Sequence, residues 1–168
     1  RIGAAMAEEA ATQGVHVLLG PGLCIKRNPL CGRNFEYLSE DPYLAGRTAS
    51  NIINGMQSRG ICACAKHFAA NNRENNRLNN NSIIGERALR EIYLRAFEKV
   101  VKDSNPAYIM TAYNLLNGTH ASSNTQLLRG ILRDEWGYKG AVMSDWGTND
   151  SLTEEVLGGN NLKMPFGN

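Results

Sequence analysis

The chain has 168 residues, of which 42% are hydrophobic and 20% charged, with a net charge of +2. That length suits one ordinary domain, and the composition is globular, which argues against disorder. The basic residues are scattered rather than gathered in a stripe, which argues against nucleic acid, and the apolar runs are too short for a membrane span.

Arg1 leads directly into an alanine-rich helical pattern of Ile2, Ala5, Met6, Glu9 and Ala10. This beginning lacks a signal-peptide layout, and the expectation is that further residues precede it. Residues 14–19 (GVHVLL) read as a strand closed by Gly20-Pro21-Gly22. Asp41-Pro42 starts a helix: Asp caps it, and Pro at the first helical position loses no needed N–H. Leu44, Ala45, Ile52, Ile53 and Met56 line that helix, and Gly60 stops it. Residues 61–65 form a second strand, ended by Lys66-His67. Residues 71–81, rich in asparagine, are too polar for core and are expected as a long loop over the top of the sheet.

Residues 86–101 give the clearest helix, because Leu89, Ile92, Tyr93, Ala96, Phe97, Val100 and Val101 make one apolar stripe. Asn105-Pro106 breaks it. Residues 107–112 (AYIMTA) are a third strand, residues 125–136 a helix, and residues 140–144 (GAVMS) a fourth strand. Residues 152–157 form a short helix, and residues 161–164 a fifth strand. Four cysteines, Cys24, Cys31, Cys62 and Cys64, lack zinc-site spacing; Cys62 and Cys64 share a strand face and are badly placed to bond each other. They read as reduced, packed thiols, which tilts the expected location toward the cytoplasm.

Repeated strand–helix units with near-continuous apolar strands indicate an α/β fold with a parallel sheet. A doubly wound open sheet and a (β/α)8 TIM-type barrel both fit. Lys66-His67, Tyr113-Asn114 and Asp145-Trp146 each follow a strand, and polar residues delivered to one rim by several strands favour the barrel. Five strands cannot close eight, so the barrel is expected to be incomplete, with about five units present.

Asp145 ends a strand and precedes Trp146. A carboxylate beside a large ring suits a sugar site, the ring covering the apolar face of a pyranose; a helix N-cap is the bland alternative. Lys66 and His67 are neighbours on a strand and face one pocket only if the backbone is irregular there. Arg33, with Glu36, Glu40 and Asp41, either grips hydroxyls with its planar fork or belongs to a structural ion-pair loop. Tyr113 offers a hydroxyl at the same rim or is an ordinary half-buried tyrosine. Arg73, Glu74 and Arg77 lie in the asparagine-rich loop, and Met110 reads as core by periodicity.

At this point the sequence resembles the family 3 glycoside hydrolases. Gly20-Pro-Gly-Leu, Arg27-Asn-Pro-Leu, Gly32-Arg-Asn-Phe-Glu-Tyr-Leu-Ser-Glu-Asp-Pro, Ala65-Lys-His-Phe-Ala-Ala-Asn-Asn, Glu86-Arg-Ala-Leu-Arg-Glu-Ile-Tyr-Leu, Met110-Thr-Ala-Tyr-Asn and Val142-Met-Ser-Asp-Trp-Gly stand in the family's order. The resemblance implies that residues 1–168 are part of a (β/α)8 catalytic domain whose remaining strands and following α/β sandwich domain are absent. It implies a β-glucosidase-like enzyme that releases terminal β-D-glucosyl residues with retention, through a covalent glycosyl intermediate on Asp145. Arg33, Lys66, His67, Arg77 and Tyr113 match residues that hold the sugar, and Met110 and Trp146 match residues lining that pocket. Some members have a non-proline cis peptide around the Lys-His pair. No metal or nucleotide is implied; the partners are a β-glucoside or oligosaccharide and the rest of the same enzyme, which brings the general acid/base.

This sequence departs from the family pattern near its end, where Asn161 replaces an Asp and Lys163 is unusual. Two other readings stand beside the enzyme: a degenerate barrel that binds carbohydrate without turnover on its own, and an aldolase-like lyase with Lys66 as Schiff base, which the flanking motifs oppose.

Overall fold

The computed structural model describes residues 1–165. Helix α1 (Ile2–Thr12) leads to strand β1 (Val17–Leu18), and α2 (Pro42–Gln57) to β2 (Cys62–Phe68). Asp41 caps α2 through its carboxylate, which accepts the N–H groups of Tyr43 and Leu44 at 2.8 and 3.4 Å. After β3 (Asn81–Ser82), α3 (Glu86–Ala88) passes through a π-helical turn, Leu89–Tyr93, into α4 (Arg95–Ser104), which ends at Asn105 in a left-handed conformation. Strands β4 (Tyr108–Thr111), β5 (Leu115–Leu116) and β6 (Thr119–His120) precede a π-helix, Gln126–Glu135. Then come β7 (Ala141–Trp146), α5 (Leu152–Gly158) and β8 (Leu162–Met164). Ser151 and Glu154 close a capping box on α5.

The main sheet has the order β1-β2-β4-β7-β8, and every pair in it is parallel. Spatial order follows chain order with no reversal. Crossovers of one hand then place the helices on one face, as in a barrel wall, whereas a doubly wound sheet reverses direction. The expected α/β, incomplete (β/α)8 architecture is what the structure has.

The two faces differ accordingly. Ala63, Ala65, Ile109 and Val142 face the helices and share a core with Ile53, Met56, Phe97, Val100 and Leu132, all fully buried. Phe68 anchors that core edge-on to Phe97 and Trp136, with ring centroids 5.0 and 5.9 Å apart. The opposite face carries a thin layer of Cys64, Met110 and Met143.

Several elements differ from expectation. The first strand pairs over two residues rather than six, because β1 is an edge with one neighbour. Strand β2 continues past Ala65 to Phe68, with a register irregularity between them. A second sheet, β3-β5-β6, was not expected; its β5–β6 hairpin turns at Asn117-Gly118, both at positive φ. Residues 71–81 are not uniformly solvated: Asn71 and Asn72 are buried, and the Asn72 amide donates to the Ile25 carbonyl at 2.6 Å.

The departures near the C-terminal end have definite packing. Asn161 Oδ1 accepts from the Val142 N–H at 2.9 Å and from Arg133 at 2.8 Å. Lys163 is half-buried, and its ammonium meets Glu155 Oε1 at 2.8 Å, Thr148 Oγ1 at 3.1 Å and the Asp150 carbonyl at 2.6 Å. Glu155 is fully buried and also accepts from Thr148 and from the Asn160 amide. Among the described residues no helix is long and apolar enough to cross a membrane.

Candidate active site

Along β7, alternation puts Met143 and Asp145 on the face away from the helices, with Asp145 at the C-terminal end. Asp145 is only 7% exposed. Its Oδ1 accepts the Trp146 N–H at 2.7 Å. Its Oδ2 is buried without a hydrogen bond, 3.6 Å from His67 Nε2 and 4.0 Å from Arg33 Nη1. Burial pushes the Asp145 carboxyl above its ordinary value, against the pull of the Trp146 N–H, Arg33, Tyr113 and Arg77. One oxygen is therefore held by the backbone, and the other is exposed to cations but bonded to nothing.

Strand β2 brings Lys66 and His67 to the same rim. The peptide between them is cis, as is Phe68-Ala69. His67 Nε2 faces Asp145, while Lys66 reaches the other way to Glu36 Oε2 at 2.9 Å. His67 is 1% exposed; burial drives its pKa well below the usual histidine value, and Arg33, Lys66 and Arg77 push the same way. The ring is neutral at pH 7. Tyr37 Oη lies 2.9 Å from His67 Nδ1. The tautomer that suits both neighbours accepts the Tyr37 hydroxyl at Nδ1 and points Nε2–H at Asp145.

Tyr37 was not singled out from the sequence. It follows Glu36 in the turn that carries Arg33, and it is buried. Gly22 separates this turn from β2, bridging to both Tyr37 and Lys66. A Cβ at position 22 would lie 2.8 Å from the Tyr37 ring and 3.0 Å from the Glu36 carbonyl.

The third side of the site comes from the loop after β2 and the end of β4. Arg77 pairs with Glu74 at 2.8 Å and stacks 4.4 Å above the centroid of the Tyr113 ring. Tyr113 donates its hydroxyl to the Trp146 carbonyl at 2.6 Å. Glu74 also accepts from the Asn71 amide at 3.0 Å, which explains why that asparagine is buried. Trp146 is 61% exposed beside Asp145. Met110 does not stand at the rim; it packs with Cys64 and Met143 as the floor one layer below Asp145. The structure thus gathers Arg33, His67, Arg77, Tyr113 and Trp146 around Asp145, with Lys66 turned to Glu36 at the same rim and Met110 beneath.

A singly wound parallel sheet whose polar residues converge from three strand ends defines part of a (β/α)-barrel domain with a site at its C-terminal rim. The glycosyl hydrolase family 3 N terminal domain matches residues 1–158, and the chain belongs to that family. It is 55% identical over 98% of its length to beta-glucosidase B of Emericella nidulans, covering 19% of that protein. It is 54% identical over 98% of its length to an exo-alpha-(1->6)-L-arabinopyranosidase of Bifidobacterium breve, covering 22% of it. Among solved structures, beta-glucosidase 3B of Thermotoga neapolitana in complex with alpha-D-glucose superposes with a TM-score of 0.96 at 55% identity, over 98% of this chain and 23% of that one. The chain spans about a fifth of the length of the curated relatives it matches, between 19% and 22% for those named here.

Proposed function

We propose that this chain carries the nucleophile and much of the glycone pocket of a retaining β-glucosidase, and that Asp145 is the nucleophile. The observation that carries this reading is Asp145 Oδ2, which is buried, unbonded and flanked by Arg33 and His67. That oxygen attacks the anomeric carbon as the glycosidic bond breaks. The leaving oxygen takes a proton from a general acid, and the product is a glycosyl ester of Asp145. Water then attacks the same carbon, gives its proton to the former acid, and releases Asp145 and the sugar with retained configuration.

Arg33, Lys66, His67 and Arg77 hold the glycone hydroxyls, Trp146 covers the apolar sugar face, and Tyr113 fixes the Trp146 carbonyl. Met110 sets the depth of the pocket. Residues 1–168 are, in this reading, one part of a (β/α)8 catalytic domain. The remaining strands and an α/β sandwich domain with the acid/base complete the enzyme. Four free thiols favour a reducing compartment, the cytoplasm.

A second reading of the glycone has support from the Bifidobacterium relatives at 54% identity, which are named for an arabinopyranoside. Aryl β-D-glucoside and aryl α-L-arabinopyranoside, compared on the enzyme that carries this chain, separate the two. A 2-fluoro glycoside is expected to trap a covalent adduct on peptide 140–147, and Asp145→Ala to lower turnover by several orders of magnitude. An adduct on any other carboxylate removes Asp145 from this role.

A further inference from the structure

We propose that Glu36 is a positioning residue of this site, which sets Arg33 and Lys66 for the glycone without contributing a proton; the proposal rests on the glycosidase reading and deepens it. Both carboxylate oxygens of Glu36 are used. Oε1 takes Arg33 Nε at 2.5 Å, and Oε2 takes Lys66 Nζ at 2.9 Å. Because the Nε edge of Arg33 is committed, its Nη1 is the edge that turns toward Asp145 Oδ2. Lys66 spends one of its three N–H donors on Glu36 and keeps two for a ligand. Long cationic side chains lose rotamer freedom when fixed, and two cations placed side by side repel. A carboxylate between them supplies both the anchor and the opposite charge.

The geometry also excludes Glu36 as the acid that protonates a leaving group. Burial pushes its carboxyl up, but the hydrogen bonds from Lys66 and Arg33 outweigh burial and hold it below the ordinary glutamate value. It stays ionised and can only accept. The backbone adds to this placement. The next residue, Tyr37, fixes His67, so one turn of chain orients Arg33, Lys66 and His67. Gly22 holds that turn against β2.

The effect on Asp145 has a definite sign. The groups facing it are Arg33 from the turn, neutral His67 from β2, Arg77 from the following loop, Tyr113 beyond β4 and the Cys64 thiol, which burial pushes up to about 12, while Lys66 stands behind them, paired with Glu36. Glu74 remains paired to Arg77. Removing the charge of Glu36 leaves Arg33 and Lys66 uncompensated, and that favours ionised Asp145.

The test is the pH dependence of aryl β-glucoside hydrolysis by the enzyme that carries this chain, with Glu36→Gln and Glu36→Asp. Glu36→Gln is expected to raise KM about tenfold, the loss expected of charge-assisted hydrogen bonds. It also moves the acid limb of kcat/KM to lower pH. Glu36→Asp keeps the charge but is too short to span both cations, so the acid limb returns while KM stays raised. A KM within about twofold of wild type and an unmoved acid limb in Glu36→Gln make this an ordinary surface ion pair and overturn the proposal. So does loss of folded protein in both variants, which assigns Glu36 to stability. Recovery of Glu36→Gln by an activated aryl leaving group alone would make Glu36 the acid, again overturning it. Wild-type enzyme that neither hydrolyses aryl glycosides nor binds a glucose-configured imino sugar sinks the glycosidase reading, and this proposal with it.

Discussion

Asp145→Asn is expected to abolish turnover and yet stabilise the fold. The wild-type carboxylate has one oxygen buried with no donor within hydrogen-bond range. An unsatisfied buried polar atom costs about 1–3 kcal/mol, and more when it carries charge. Arg33, 4.0 Å away, returns part of that, and the Trp146 N–H at 2.7 Å is kept by an amide oxygen. Asn leaves an unpaired Nδ2 in the same place, facing the Nε2–H of His67 and Arg33, so it removes only the extra cost of the buried charge; the net gain is about 1 kcal/mol, or about 2–4 °C in Tm for a domain of this size. The pH dependence fixes the origin. The carboxyl's value in the fold lies above its unfolded value, so the full cost of the charge is present at neutral pH. Wild type regains stability as pH falls through the folded value, and the two proteins converge below the unfolded one. Scanning calorimetry of both proteins across the acid range, beside a turnover assay, reads all of this. An Asp145→Asn protein less stable than wild type at neutral pH refutes the reasoning, since it would mean that the cations around Asp145 more than offset its burial.

Lys163→Met is expected to cost about 3–5 kcal/mol, because it strands the buried Glu155 carboxylate; Lys163→Met/Glu155→Gln recovers part, since Gln keeps the contacts with Thr148 and Asn160. Denaturant midpoints measure it, and a cost for the single variant under about 1 kcal/mol would contradict the buried pairing. The 168-residue chain by itself is expected not to hydrolyse cellobiose, because the two carboxylates paired with the cations of the site are tied up, Glu36 to Arg33 and Lys66, Glu74 to Arg77. Hydrolysis of cellobiose by this chain alone would mean that one of them delivers the proton.

What the sequence discloses is mostly what is local. The apolar stripe of Leu89 to Val101 and the Asp41-Pro42 cap lie within a few residues of what they determine, and those helices stand where the pattern puts them. The π-helical turns at Leu89–Tyr93 and Gln126–Glu135 share the apolar stripe of an α-helix and leave no separate signal. Strands of two residues, such as β3, β5 and β6, are too short to show a period of two. The Asn117-Gly118 pair was the one available sign of that hairpin. Around the site, Asp145, Lys66, His67 and Arg33 were legible through the ordered motifs that contain them, and each was ambiguous alone. Tyr37 was not, because its role depends on a ring 30 residues away in the chain. The burial of Asn71 and Asn72 likewise depends on Glu74 and on the distant Ile25 carbonyl, which no composition argument supplies.

The closeness of Gly22 to the Glu36–Tyr37 turn has a consequence for how such a site can change. The gap there is one hydrogen atom wide: even the smallest side chain meets the Tyr37 ring at 2.8 Å. A substitution at position 22 touches no sugar, yet it displaces the anchors of Arg33, Lys66 and His67 together. Its effects come all at once, so there is no gradual path through this position toward another glycone. On the proposed reading, a change in glycone enters more readily at a residue such as Trp146, which is 61% exposed and lies outside that turn. In a mutational library, position 22 is expected to return glycine almost without exception.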